Sequence, residues 1–537
     1  GRAEKEYIRW RRQSTKYELA YIYYKAIKMN LLDLPDEILV FILKKMNVVD
    51  TLYRQSAIHD RLDRLLFDHL YVDELDFTIK SWDNSISPMN DLIIDRVCEQ
   101  ILPHIHDKVR KLIVEPSAVA RVLHAVDFPN VSSLSLMNFS TKILIEHLIQ
   151  NRNRLKVLLE KMTHLHVYLI DDIGNDFNLF ELIISQSKSL LELTFHQSSQ
   201  ISDRDISISQ FSSTNSSTLT KLNIELKTFD DCLFLLDGRF PSLSHYIVYI
   251  EEISSNLSSI DNRDNFSQLK SFSLTSYKQT YAYDDLLVPF LQRMLNLEEL
   301  HLSVSVTKRD ASTVVDGNHL QTNILTHLSQ LKRFHFSIHT SLYRLNHDVE
   351  NQIAYPSNDQ LQQQVRSYVH ECSANNIYRC HVYSIPYQFK VFLRLSSTFT
   401  TDMFINVRTL VIYDTISWDY HFFHKVSKCF PFIKTLMICN SSAKKIFEEY
   451  PIVTFNRLID LDLRLTHITY IQQLLCNRYT HLPRFCKLHI YYEQLMLLTN
   501  NFTSDPNQFN CAQIKSLSIN ECFVRSENFS QFFPLLE

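Results

Sequence analysis

The sequence predicts an α/β fold in two parts: a short N-terminal helical bundle, then a long solenoid with a curved parallel sheet and helices on its convex side. Three observations carry this expectation. A six-residue phrase, apolar-x-x-apolar-x-apolar, recurs from residue 72 to the C-terminal region. Stretches between its copies, such as "FELIISQSK" and "DDLLVPFLQRMLN", have the apolar spacing of helices. Ahead of the first copy, "LPDEILVFILKKMN" is a dense apolar run that opens on a proline and two acids.

The opening run justifies the bundle. Pro35 suits a first helical turn because its missing N–H would be unpaired there anyway, and Asp36 and Glu37 complement the positive end of the helix dipole. Ile38, Phe41, Ile42 and Met46 fall at helical spacing, while Leu39 and Leu43 widen the stripe beyond one packing face. Part of it should therefore meet a partner. Asp50 is a candidate cap for a second helix beginning "TLYRQ", and "IHDRLDRLLFD" gives a third with Ile58, Leu62, Leu65 and Leu66 on one side.

The phrases justify the solenoid. Their central residues are Leu75, Leu112, Leu134, Leu165, Leu193, Leu222, Tyr246, Phe272, Leu300, Phe334, Leu410, Leu436, Leu461, Leu488 and Leu517, mostly about 22 to 31 residues apart. Alternation within each phrase puts its apolar side chains on one face of a strand. One strand and one helix cannot bury that face alone, so successive units must stack. A weaker copy, "IYRCHV" around Cys380, follows a polar insertion near 340–376. This pattern resembles the leucine-rich-repeat family over about 460 residues, although the Asn or Cys that usually follows the strand in that family is mostly missing here.

Composition narrows the chemistry. Of 537 residues, 45% are hydrophobic and 21% charged, an ordinary globular balance, and the formal charge of −4 offers no chain-wide attraction for nucleic acid or acidic membrane. Only four glycines occur, which nearly excludes a phosphate-cradling loop or a Gly-x-Ser-x-Gly nucleophile elbow, and no His-Glu-x-x-His is present. The ten cysteines sit singly, without Cys-x-x-Cys, and read as buried thiols of a reducing compartment. No secretory leader or long apolar span is visible, so the expected location is cytoplasm or nucleus. "HIH" at 104–106 and "HLH" at 164–166 each set two imidazoles on one side of an extended segment, but neither has a ligand set at metal spacing, and packing or surface roles are the expectation. Asp171 and Asp172 read as a solvated loop. No catalytic residue, metal or cofactor is expected.

Residues 1–28 stand apart, with eight basic against three acidic side chains and Tyr17, Tyr21 and Tyr24 at helical spacing. They read as a solvated basic helical extension, with RNA or membrane contact as an alternative. Met29 has the position of a natural start, which leaves the preceding residues open to being non-native.

"LPDEILVFILKKMNVVDTL" is also similar to the F-box family, whose motif runs Leu-Pro-x-Glu-Ile/Leu and ends in a Val-Cys-x-x-Trp-like piece. Here "IHDRL" replaces that piece and puts Leu62 where an aromatic usually lies, so the resemblance is strongest in the first helix. It covers about 40 residues and gives the division 29–70 F-box, 71–537 repeats. The resemblance implies a substrate receptor of a Skp–cullin–F-box ubiquitin ligase, docking a Skp-family adaptor through Leu34, Pro35, Ile38, Leu39 and Ile42 with Met46 and Ile58 in support, and reaching the cullin through it. The alternative is a leucine-rich-repeat scaffold or inhibitor whose N-terminal helices only cap the repeats.

Residues one before, one after and three after each central position share the polar, concave side of the sheet. Those expected to meet a protein partner are Glu192, Thr194 and His196; Lys221 and Asn223; His245; Glu299, His301 and Ser303; Arg333 and His335; Asp460 and Asp462; Lys487 and His489. Their mixed signs suit a folded protein or peptide better than a polyanion.

Overall fold

A computed structural model describes residues 34–55, 60–68, 71–80, 86–149, 154–170, 179–197, 215–254, 266–308, 314–343, 365–372, 377–399, 401–442, 451–519 and 528–536. The basic extension 1–28, Ile58, Asp171–Asp172 and much of the polar insertion lie outside them. The chain divides into two compact units, one up to Val248 and one from Tyr249.

In the first unit the expected helices are α1 (Asp36–Leu43), α2 (Val48–Gln55) and α3 (Asp60–Leu66). The N–H groups of Ile38 and Leu39 both donate to the Pro35 carbonyl, at 3.1 and 3.0 Å, so the helix starts at the proline as its missing donor allows. The cap of α2 corrects the sequence reading. Asn47, not Asp50, holds it: Asn47 Oδ1 accepts from the Asp50 N–H at 3.0 Å. The Asn47 Nδ2 also donates to the carbonyls of Asp76 and Thr78, at 2.9 and 2.8 Å, and thereby fastens the helices to the first strands. Asn47→Ala should cost about 2 kcal/mol, because it removes the cap and two half-buried bonds together; a urea midpoint unchanged from wild type would refute that role.

Strands of this unit are β1 (Glu74–Asp76), β2 (Thr78–Lys80), β3 (Ile86–Pro88), β4 (Lys111–Val114), β5 (Ser133–Phe139), β6 (His164–Leu169), β7 (Glu192–Gln197) and β8 (Lys221–Thr228), while β9 (His245–Glu252) carries the boundary. Strands β1, β4, β5, β6, β7 and β8 pair in that order, all parallel, and Leu75, Leu112, Leu134, Leu165, Leu193 and Leu222 stand in one register row. Equivalent residues of successive phrases therefore lie side by side, as a repeat requires. On the apolar side the row is sealed by helices; Phe180 of helix Leu179–Gln186 meets Phe195 of β7 edge to face at 6.0 Å.

The second unit contains β10 (Ser271–Thr280), β11 (Glu299–Lys308), β12 (Arg333–Tyr343), β13 (Val365–Cys372), β14 (Ile377–Ser384), β15 (Val391–Leu395), β16 (Thr409–Tyr413), β17 (Thr435–Asn440), β18 (Val453–Thr454), β19 (Asp460–Thr466), β20 (Thr480–His481), β21 (Lys487–His489) and β22 (Ser516–Ser518). Strands β10, β11 and β12 are parallel, but β14 pairs antiparallel to β12 and β13 antiparallel to β14. The weaker copy around Cys380 is thus a reversed strand and not a repeat. A separate six-stranded parallel sheet follows in the order β15-β16-β17-β19-β21-β22. Every predicted central residue lies in a strand, and all but Phe334 and Leu517 are buried.

With four glycines in the chain, asparagine takes some left-handed positions: Asn138 at φ 57°, beside a register shift in β5, and Asn500 and Asn501 at 49° and 55°, ending a helix.

Candidate protein-interaction surfaces

Helix α1 separates its stripe into two faces. Leu39 is fully buried and Leu43 nearly so, whereas Ile38, Phe41, Ile42 and Met46 are half-buried and Pro35 is exposed. Leu39 therefore packs inside the helical group and does not present itself to a partner, a correction to the sequence reading. Arg61 of α3 locks the start of α1: it donates to the Leu34 carbonyl at 2.8 Å and to Asp36 Oδ1 at 2.5 Å. Next to the outward stripe, a groove of about 800 Å³ is lined by Ile42, Met46, Asn47, Ile79, Met89 and Ile93 among others. Of the apolar stripe, Ile42 and Met46 line this hollow, together with charged side chains such as Lys44, Asp50 and Asp73.

On the polar face of the first unit, the residues preceding each central leucine form a register row of Glu74, Lys111, Ser133, His164, Glu192 and Lys221. Opposite charges meet across strands: Lys111 Nζ lies 3.0 Å from Glu74, and Lys221 Nζ 3.1 Å from Glu192, whose other oxygen is 3.7 Å from His164 Nε2. Four residues on, His196 Nδ1 lies 3.0 Å from Glu225 and its ring stacks on Tyr168 at 5.5 Å. His245 is exposed. The predicted Glu192, His196 and Lys221 thus belong to a half-exposed ladder of mixed charge. Sequence reasoning missed its members Glu74, Lys111, His164 and Glu225, although the same offset in the earlier phrases pointed to the first three. Burial lowers the His166 pKa, so that ring is a neutral donor and acceptor within the ladder.

In the second unit the predicted residues form two groups. Glu299 pairs with Arg333 at 2.8 Å and with His301 at 3.3 Å, and the His301 and His335 rings lie 4.9 Å apart. Burial depresses the His335 pKa, with the His301 charge adding to it. Asp460 lies 3.2 Å from His489 Nε2, a hydrogen bond that raises the His489 pKa. Asp462 is nearly buried and held by Arg464, while Lys487 stands in register with Asp460.

The polar face is not open along its whole length. Ser303, Ser305, Ser337, His339, Ser341 and His381 are all buried. The chain that follows β14 covers Ser337 and His381: Tyr387 OH is 3.0 Å from Ser337 Oγ, and the Phe392 ring meets that of His381 at 4.9 Å. Ser303, expected on an open surface, is therefore interior, and only the first turns of β11 and β12 present Glu299, His301, Arg333 and His335.

"HLH" lies in strand β6 as expected, whereas "HIH" ends a helix, Leu102–Ile105, so its two rings diverge. Among the described residues no group of three or more His, Cys, Asp or Glu could hold a metal, and no helix is long and apolar enough to cross a membrane. Burial pushes the thiols of Cys232, Cys380 and Cys511 up to about 12, which makes them inert packing groups.

No family model matches the chain, and no curated protein matches it. Among solved structures it is similar to the crystal structure of the yeast Rad7 and Elc1 complex, with 11% identity and a TM-score of 0.27, over 94% of this chain and 98% of that one. At that TM-score the likeness carries no argument about fold or function.

Proposed function

We propose that this protein is a substrate-binding subunit of a Skp–cullin–F-box type ubiquitin ligase: an F-box over residues 29–70 followed by leucine-rich repeats over 71–537. The observation that carries the reading is the division of α1. A helix opened by Leu34-Pro35 buries Leu39 and Leu43 inside the protein yet leaves Ile38, Phe41, Ile42 and Met46 partly exposed, with Ile42 and Met46 lining a groove. Such a stripe is what an adaptor that docks by apolar burial would use. Pro35, Ile38, Ile42 and Met46 are the contact residues, and Leu39 supports them from beneath. Ile58, suggested by the family motif, remains a candidate on sequence alone.

The polar strand faces are the surface for target proteins: Glu192, His196, Lys221 and His245 in the first unit, and Glu299, His301, Arg333, His335, Asp460, Lys487 and His489 in the second, whereas Asp462 is buried and bound to Arg464. Their role is to hold a target near a ubiquitin-charged enzyme on other subunits, a proximity effect that needs no catalytic residue in this chain. This activity belongs to cytoplasm or nucleus.

A second reading has its own support. Asn47 bonds α2 directly to β1 and β2, as expected of helices that cap a repeat array in a scaffold protein. Titration of a purified Skp-family adaptor separates the two. Ile38→Asp with Ile42→Asp, both at half-exposed sites, should weaken capture at least about a hundredfold with the fold retained by circular dichroism. Failure of the wild-type chain to bind the adaptor would leave the scaffold reading.

A further inference from the structure

The covered end of the polar face in the second unit has a feature that repeat stacking does not require. Strands β12 and β14 place His339 opposite His381, and Ser341 opposite Arg379, on one face. His339 is 6% exposed and its Nε2 has no hydrogen-bond partner. Arg379 is only half-buried, yet its Nε and Nη1 are out of solvent and without a hydrogen bond, and its guanidinium lies over the Tyr413 ring at 4.1 Å. On the neighbouring strand, Ser305 Oγ and Thr307 Oγ1 are likewise buried and unbonded. Buried polar groups without a partner are costly and few in folded proteins. Here they converge.

Backbone strain points to the same place. Between Phe392 and Leu395 the β15 register shifts, and Arg394 within that bulge has φ +52°, a left-handed conformation that strains an L-residue. Bulges of this kind re-aim a side chain. The charge of Arg394 acts on both His339 and His381, so the bulge brings a second guanidinium to the pair.

We propose that Arg379, Arg394 and His339, with the hydroxyls of Ser305 and Thr307, form a binding site for a phosphate-class oxyanion. Guanidinium forks match the oxygens of such a group in a bidentate way, and the hydroxyls and the imidazole supply the remaining donors. Both arginines are partly exposed residues, and Tyr413 stands beside the Arg379 guanidinium. The site is independent of whether α1 docks an adaptor.

Calorimetric titration of the full chain with sulfate and with inorganic phosphate tests this. Arg379→Gln should weaken both at least about tenfold, Arg379→Lys less, and Arg110→Gln, at an exposed cation of the first unit, not at all. Equal weakening by Arg110→Gln, or no binding by the wild type, would overturn the site. A second readout uses sulfate, which stays a dianion as pH falls from about 8 to about 6. Burial, Arg394 and Arg379 hold the His339 pKa well down, and a bound anion offsets them, so binding should take up a proton and tighten over this interval. The other groups facing His339 are His381, kept neutral by its own burial, and Tyr387, whose phenol burial keeps protonated. Affinity that does not change with pH in His339→Asn but does in the wild type assigns the proton to His339; identical profiles would remove that imidazole from the site. A phosphoserine peptide binding more than about tenfold tighter than free phosphate would identify a modified protein as the source, and equal binding a small ion.

Discussion

Trp418→Ala should destabilise the second unit by about 3–5 kcal/mol, a sizeable share of the total stability of a typical domain. Trp418 is 3% exposed, stacks on Phe422 at 4.6 Å, and meets Tyr470 at 5.0 Å and Phe423 edge-on at 5.7 Å. Its Nε1 donates to Asp414 Oδ2 at 2.9 Å, and its backbone N–H donates to Tyr470 OH at 2.7 Å. Truncation thus opens a cavity in the aromatic core and strips one donor from a carboxylate that is 2% exposed. Asp414 keeps its bonds from the N–H groups of Ser397, Thr415 and Ile416, so the loop it organises should persist. Trp418→Phe keeps most of the packing and should cost about 1–2 kcal/mol. Urea unfolding followed by circular dichroism measures both; a midpoint for the alanine variant within error of wild type would refute the assignment.

Acidification from about pH 7 to about pH 5 should destabilise the second unit, by up to about 1.4 kcal/mol per pH unit for each imidazole that stays neutral in the fold. Burial drives the pKa of His339 and of His381 well below the ordinary histidine value; the rings stack at 3.7 Å, the Arg394 charge adds to the effect on both, and that of Arg379 to the effect on His339. The sign follows from proton counting. Below the ordinary histidine pKa the unfolded chain binds protons that the folded pair refuses, so stability falls as pH falls. His489 acts the other way, since Asp460 raises its pKa and the stability it adds is present at low pH and lost as pH rises through the raised value. Two fully buried rings outweigh one half-exposed ring. His339→Asn with His381→Asn should flatten the acid limb of thermal melts, and an unchanged slope would refute the linkage. Bound sulfate should also soften it, which connects this measurement to the proposed oxyanion site.

The candidate surfaces are partly legible in the amino-acid sequence. The offsets of Glu299, His301, Arg333 and His335 from Leu300 and Phe334 place the four together, because strand alternation is a local property and parallel register then brings equal offsets side by side. Their ion pairing is not legible. It depends on cross-strand distance, which the sequence of one strand does not contain.

What the sequence determined by itself is the set of strands and their inward faces: each central residue from Leu75 to Leu517 lies in a strand because alternation of apolar and polar side chains admits little else. It also determined where α1 begins, since Pro35 and the acids after it act through the backbone of one turn. Tertiary structure alone decided the rest. Leu39 and Ile38 are neighbours of equal hydrophobicity, and only the packing of α1 within the protein chose Leu39 for the interior. Strands β13 and β14 alternate like any other, and pairing direction, absent from that pattern, made them antiparallel. Burial of Ser337 beneath Tyr387 required a contact 50 residues apart in the chain, and no local pattern encodes a contact at that range.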